Sequence, residues 1–183
     1  LRDRIDIQYR DYREVQGPFD KIVSIEMFEA VGREYWHAFF QACARALGPG
    51  GTMLLQTIAI PDDGVENPLR SSGWISKYIF PGGMLPAVLE IEAAAQTAGA
   101  SLEIRQLEDI SPHYVRTLDA WRDRFWKAID DVRAQGFDDV FVRMWDFYLA
   151  SCSAAFAAGR IRDVQVLFEK AGMKGRFALA GHS

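Results

Sequence analysis

Two carboxylates, Glu26 and Glu29, stand three residues apart directly after the apolar run Ile22-Val23-Ser24-Ile25. Ile22, Val23 and Ile25 are β-branched neighbours, as a strand covered on both faces of a parallel sheet requires. In an open α/β sheet, ligands bind where strands end and the chain turns toward a helix, so acids at that point can hold a ligand or move a proton. The same pair can instead solvate the loop or cap the next helix, and position and charge alone weigh the two readings equally. Other residues with usable chemistry are Asp11-Tyr12, the lone polar Gln56 inside an apolar run, Phe80 in an aromatic cluster, and His113-Tyr114. His37 falls within an aromatic helix pattern and reads as a packing or surface residue. No His, Cys, Asp and Glu cluster stands at ligand spacing, so a catalytic metal is not indicated.

The elements that position these groups follow from periodicity. Residues 4–9 alternate and predict a strand, and 21–26 form the next one after the Gly17-Pro18 turn. Tyr35, Trp36, Phe39, Phe40, Cys43 and Leu47 recur at three and four, the stripe of a helix lying on a sheet. Gly48-Pro49-Gly50-Gly51 stops that helix, and 52–60 read as a buried strand interrupted by Gln56. Residues 61–73 form a polar loop, and Trp74 to Phe80 are either core or the wall of an apolar pocket. Helices follow after Pro86 to a Gly99 stop, over 113–130, and from an Asp138 N-cap to Gly159. Strands at 101–107 and 163–168 complete the pattern. One α/β domain over 1–183 is the economical reading.

Composition excludes several classes. The chain has 183 residues, 49% of them hydrophobic and 25% charged, ordinary for a globular domain. Its 25 acids against 21 bases leave a net charge of −4, so a nucleic-acid partner is not indicated. The two cysteines, Cys43 and Cys152, form no disulfide framework, which suits a reducing cytoplasm. No apolar run reaches the roughly 18 residues of a membrane span, so any membrane contact is peripheral. The chain opens at Leu1 without an initiator methionine, as a piece of a larger protein would.

Several separated blocks share one order: Phe19-Asp20-Lys21-Ile22-Val23-Ser24-Ile25-Glu26-Met27-Phe28-Glu29, Leu55-Gln56-Thr57-Ile58, Tyr78-Ile79-Phe80-Pro81-Gly82-Gly83, Pro112 to Leu118, and Phe156 to Gln165. Through them nearly the whole chain resembles the catalytic domain of the cyclopropane-fatty-acyl-phospholipid synthase and mycolic acid cyclopropane synthase family. The resemblance implies a class I methyltransferase fold, a Rossmann-like, mostly parallel sheet with helices on both faces. Laid on it, residues 4–9 are the third strand, so the first two strands and their glycine-rich cofactor turn are missing. An upstream segment carrying them is the expectation.

The resemblance also implies roles. S-adenosylmethionine is the expected cofactor, with Asp11 accepting its adenine amine, Tyr12 beside the ring, and Ser24 and Ile25 lining the methionine side. The implied reaction transfers a methyl group to the double bond of an unsaturated phospholipid acyl chain and closes a cyclopropane. Phe80 and Tyr114 are candidates to face the carbocation. A bicarbonate ion is expected to remove the proton, held by Glu29, the Tyr114 hydroxyl and the Ile58 backbone. Gln56 stands where many members carry histidine, and an amide cannot take a proton charge near neutral pH. The resemblance implies a cytoplasmic protein, peripheral at the inner membrane surface, and leaves a homodimer open. The alternatives are a related methyltransferase making methyl-branched lipids or methylating a small molecule, and a non-catalytic relative.

Overall fold

In the computed structural model, which describes residues 2–64, 73–97 and 102–170, the first long helix passes directly into the central strand, and Gly48 to Gly51 are among that strand's opening residues rather than a separate stop. Helix α1 (Trp36–Ala46) ends at Leu47, and Gly50 takes φ 71° as the chain enters β2 (Leu47–Ala59). A side chain at that φ would meet its own backbone, which glycine avoids. Strands β1 (Phe19–Ile25), β3 (Leu102–Asp109) and β4 (Arg162–Lys170) complete a sheet of order β1-β2-β4-β3. β1 and β2 are parallel, with Ile25 opposite Gln56. β4 is antiparallel to both neighbours, with Gln56 opposite Gln165 and Ile58 opposite Asp163.

The expected α/β layering is present, and the described sheet is mixed rather than mostly parallel. The cause lies between β3 and β4. Helices α4 (Ser111–Lys127) and α6 (Asp139–Ala157) are similar in length and pack on one another, so the chain returns to the sheet end it left and β4 must run back. Arg122 and Trp126 of α4 both donate to Asp146 of α6 at 2.6 Å, and Ser153 donates to Asp119, fixing the helical pair. The expected Asp138 cap accepts from the Phe141 amide at 2.8 Å, and Gly159 ends the segment at φ 64°.

Alternation along β2 and β4 divides the sheet into two faces. Met53, Leu55 and Ala59 with Val164, Val166 and Phe168 are buried under α1 and α3 (Val88–Thr97). Phe28 is the hub, its ring 5.3 Å from Trp36, 5.1 Å from Phe39 and 5.5 Å from Phe40. The opposite face carries Gln56, Ile58, Asp163 and Gln165. Over its Ile58 end lies a second cluster, Leu118, Leu149, Cys152 and Phe156, with Tyr114 and Tyr148 packed against it. Buried Cys43 and Cys152 are free thiols.

Residues 4–9 are not a strand. A 3-10 turn spans Arg2–Arg4, and residues 5–10 have no regular structure, with Ile7 92% exposed. Their alternation supplies an apolar face, but β1 pairs only with β2 among the described residues, so no ladder holds the segment. The helix expected over 113–130 breaks at Ala128 into α4 and α5 (Ile129–Ala134). Trp74–Tyr78 form the short helix α2. The centre of the 61–73 loop, residues 65–72, and the Gly99 stop lie outside the described residues. No helix among those described is long and apolar enough to cross a membrane.

Candidate active site

Where β1 ends, Glu26 extends the pairing by one residue: its amide donates to the Gln56 carbonyl at 3.0 Å. It does so at φ 53°, a left-handed conformation costing a non-glycine residue roughly 1–2 kcal/mol. The 3-10 turn Phe28–Ala30 follows, with Phe28 sunk in the core. That anchor brings Glu29 back over the strand ends, where the Ile58 amide donates to Glu29 Oε1 at 2.5 Å. Beyond β1 the Ile58 amide has no strand partner on that side, and the carboxylate takes its place. Glu29 Oε2 is buried and has no hydrogen-bond partner.

Gln56 joins this turn to β4. Its Nε2 donates to Glu26 Oε1 at 3.1 Å and lies 3.5 Å from Asp163 Oδ2, while its Oε1 accepts from Gln165 Nε2 at 2.9 Å. Asp163 is fully buried. Its amide donates to Ser111 Oγ at 3.0 Å, and its carbonyl accepts from the Ile110 amide, so α4 starts from it. Burial, then the neighbouring charge of Glu26 and a hydrogen bond with it, push the Asp163 carboxyl up to about 7. Burial and then Glu29 likewise raise Glu26, against the Gln56 bond. Two carboxyls in one desolvated place cannot both ionise freely.

Aromatic residues of α4 and α6 stand close enough to these acids to feel their charge. Tyr114 is half-buried, its ring 5.0 Å from Phe156 and 6.1 Å from Trp121 in edge-to-face contacts. Burial first, then the charges of Glu26 and Asp163, with smaller effects of Cys152 and Glu29, push its phenol up to about 12, so the hydroxyl keeps its proton. Tyr148 of α6 is raised for the same reason and stands in the field of Tyr114 and Glu26. Phe80 lies 6.0 Å from Tyr148 and is 56% exposed, placing it at the rim.

The structure thus gathers Glu29, Gln56, Ile58 and Tyr114 at the carboxyl ends of β1 and β2, with Phe80 joined through Tyr148. The residues assigned to the cofactor are spread more widely. Asp11 caps the 3-10 turn Tyr12–Glu14 and is gripped by Arg13 through Nε at 3.0 Å and a terminal nitrogen at 2.6 Å, which holds its carboxyl down at about 2. It lines a surface cavity of ≈ 570 Å³ with Tyr9, Arg10 and Glu14. Tyr12 packs edge-on to Phe39 at 5.5 Å. Ser24 and Ile25 point to opposite faces of β1: Ser24 Oγ is buried without a partner, and Ile25 is 58% exposed. Another cavity, ≈ 550 Å³, is lined by Pro61, Asp62, Asp63, Arg160 and Arg162 and includes none of Glu26, Glu29 and Asp163.

Two exogenous groups can be tested against these donors. The orphaned Ser24 hydroxyl and the hollow beside Asp11 fit a polar ligand such as S-adenosylmethionine. A bicarbonate ion fits poorly. Gln56 is committed at both ends, the Ile58 amide is spent on Glu29, and the acids crowded there disfavour a further anion, leaving the Tyr114 and Tyr148 hydroxyls as the nearby donors among the described residues. Sequence reasoning missed Asp163, Gln165 and Tyr148. The available signal was an acid and an amide at alternate positions, 163 and 165, of the otherwise apolar strand 163–168.

Strand order, helical layers and acid-bearing strand ends define a Rossmann-like α/β fold of the class I methyltransferase type. The cyclopropane synthase MmaA2 from Mycobacterium tuberculosis superposes with TM-score 0.77 at 28% identity, over 92% of this chain and 63% of that one. The mycolic acid cyclopropane synthase CmaA1, solved with SAH and CTAB, gives 0.77 at 31% over 87% and 58%. The family model of mycolic acid cyclopropane synthetase matches residues 1–166, and the chain belongs to that family. Tuberculostearic acid methyltransferase UfaA1 of Mycobacterium tuberculosis is 41% identical over 157 residues, 85% of this chain and 36% of that protein. Cyclopropane-fatty-acyl-phospholipid synthase of Escherichia coli is 36% identical over 166 residues, 91% of this chain and 41% of that protein. The chain therefore spans about two fifths of the length of these two relatives.

Proposed function

We propose that the protein carrying this chain transfers a methyl group from S-adenosylmethionine to the double bond of an unsaturated phospholipid acyl chain and closes a cyclopropane, working at the cytoplasmic membrane surface. The observation that carries this reading is Glu29: one carboxylate oxygen is fixed by the Ile58 amide and the other is buried without a partner, with the half-buried Tyr114 phenol near enough to feel its charge. Bound S-adenosylmethionine would supply an electrophilic methyl group, with the unpartnered Ser24 hydroxyl available to its polar parts and the Asp11 carboxylate able to serve them in exchange for its bonds to Arg13. An alkene is a weak nucleophile, so the chain's own residues must exclude water and tolerate positive charge. The rings of Tyr114, Tyr148 and Phe80 present negative faces to a cation, each worth about 0.5–2 kcal/mol. Glu29, Glu26 and Asp163 add a negative field that favours both a sulfonium and a carbocation.

The test is incubation of the complete protein with donor and vesicles of oleoyl phosphatidylglycerol, followed by mass spectrometry of the fatty acid esters. A gain of one CH2 that resists mild hydrogenation marks the cyclopropane; unchanged esters refute the reading. The 41% identity with tuberculostearic acid methyltransferase favours a second reading, a branched product. A methylene-branched ester would take up hydrogen in the same assay.

A further inference from the structure

We propose that the ≈ 550 Å³ cavity lined by Pro61, Asp62, Asp63, Arg160 and Arg162 receives the zwitterionic headgroup of an ethanolamine phospholipid, with the phosphate on the arginines and the ammonium on the aspartates. The proposal rests on the methyl-transfer reading and names the headgroup of the lipid whose acyl chain is methylated.

Two stretches of chain build both this cavity and the candidate active site. At the end of β2, the Ile58 amide holds Glu29, and Pro61, Asp62 and Asp63 follow as one wall of the cavity. Where α6 passes into β4, Phe156 packs 5.0 Å from Tyr114 and Ile161 packs against the same apolar cluster. Ala158, Gly159, Arg160 and Arg162, interleaved with those two, form the other wall. The β2–β4 register pairs Ile58 with Asp163 and Ala59 with Arg162, so the cavity begins one ladder position beyond the acids. A Cβ built on Gly159 would meet nothing within 4 Å, which leaves that wall open at the turn. A lipid seated here has an apolar course for its acyl chain, past Ile161 and Phe156 to Tyr114.

Opposite charges line the cavity without closing it. Among the described residues no ion pair joins Asp62 or Asp63 to Arg160 or Arg162, although all four border one space and are exposed. Arg162 Nε comes only within 3.9 Å of Asp109, beyond hydrogen-bond reach. Asp62 accepts from the Leu89 amide at 3.2 Å through one oxygen, which leaves the other for a ligand. Guanidinium forks match the oxygens of a phosphate, and paired carboxylates match a primary ammonium with its three N–H donors. Phosphoethanolamine carries both groups, two carbons apart. Other headgroups satisfy fewer of these residues. A glycerol headgroup brings no cation to the aspartates, serine adds a carboxylate that they repel, and choline brings a cation without N–H donors.

The experiment offers the complete protein S-adenosylmethionine and mixed vesicles holding equal amounts of oleoyl phosphatidylethanolamine and oleoyl phosphatidylglycerol. Mass spectrometry of the intact lipids reads the gain of each. The wild type should favour the ethanolamine lipid by roughly tenfold, the scale of one charge-assisted hydrogen bond. Asp63→Lys should reverse the preference, because a cation there repels the ammonium. Arg160→Gln should raise KM for both lipids more than it changes kcat, since both carry the phosphate. A merely structural role would lower both rates together and leave their ratio in place. Soluble phosphoethanolamine distinguishes the lipid from a free phosphoester. Its binding by calorimetry, combined with equal turnover of the two lipids, would make this a site for the free compound and overturn the assignment. An active wild type that treats both lipids alike, or an Asp63→Lys variant that keeps the ethanolamine preference, overturns the headgroup site alone. A wild type that methylates neither lipid overturns the reading on which the site depends.

Discussion

Asp163→Asn should make the fold more stable at neutral and alkaline pH. The Asp163 carboxyl is fully buried and sits at about 7, against 3.8 ordinarily, because of burial first and Glu26 second. A group that ionises near 4 unfolded and near 7 folded binds more protons in the native state between those values, so stability falls as pH rises through that window. Roughly three pH units at about 1.4 kcal/mol each cap the loss near 4 kcal/mol. Asparagine abolishes the titration, keeps an acceptor for Gln56 Nε2, and offers an amide donor to ionised Glu26. Urea unfolding of the complete protein is the assay. The variant should exceed the wild type by roughly 2–4 kcal/mol at about pH 8, and the gap should close toward pH 4. Parallel pH curves for the two proteins would refute the reasoning, as would a variant less stable than wild type at pH 8.

Phe28→Ala empties the hub of four packed rings and should destabilise the fold by about 3–5 kcal/mol, read by thermal unfolding. Glu26→Gly removes a side chain held at φ 53° and should raise stability by about 1 kcal/mol, read by urea unfolding at neutral pH. Cys43 and Cys152, pushed up by burial to about 12 and about 11, should resist Ellman's reagent in the native fold and both react in guanidinium.

Much of the frame was legible because burial and period coincide. β2 alternates apolar residues under α1, and the Trp36, Phe39, Phe40 and Cys43 stripe covers them, so strand and helix were each readable alone. Residues 4–9 carry an equally clean alternation and make no strand, because alternation provides a face and not a partner. Glu29 was legible from its place after a strand, and the geometry adds why it stays there: a backbone amide left unpaired by the end of β1. Gln56 is legible as an amide where the resembling family carries histidine, whereas its place between two acids depends on the β2–β4 register, which no local pattern encodes. Asp163 was hidden for the same reason, since its partner Glu26 lies 137 positions away and meets it only through the sheet.

A double-mutant cycle on Glu29→Gln and Tyr114→Phe, read as single-turnover methyl transfer by the complete protein, asks whether the two side chains serve one chamber. Each change alone should slow transfer by roughly 10²- to 10³-fold, and the double variant should be no more than a few-fold slower than the worse single, since groups acting on one reacting centre are strongly non-additive. Losses that multiply in full would mean that Glu29 and Tyr114 act independently, and the proposed site would be wrong.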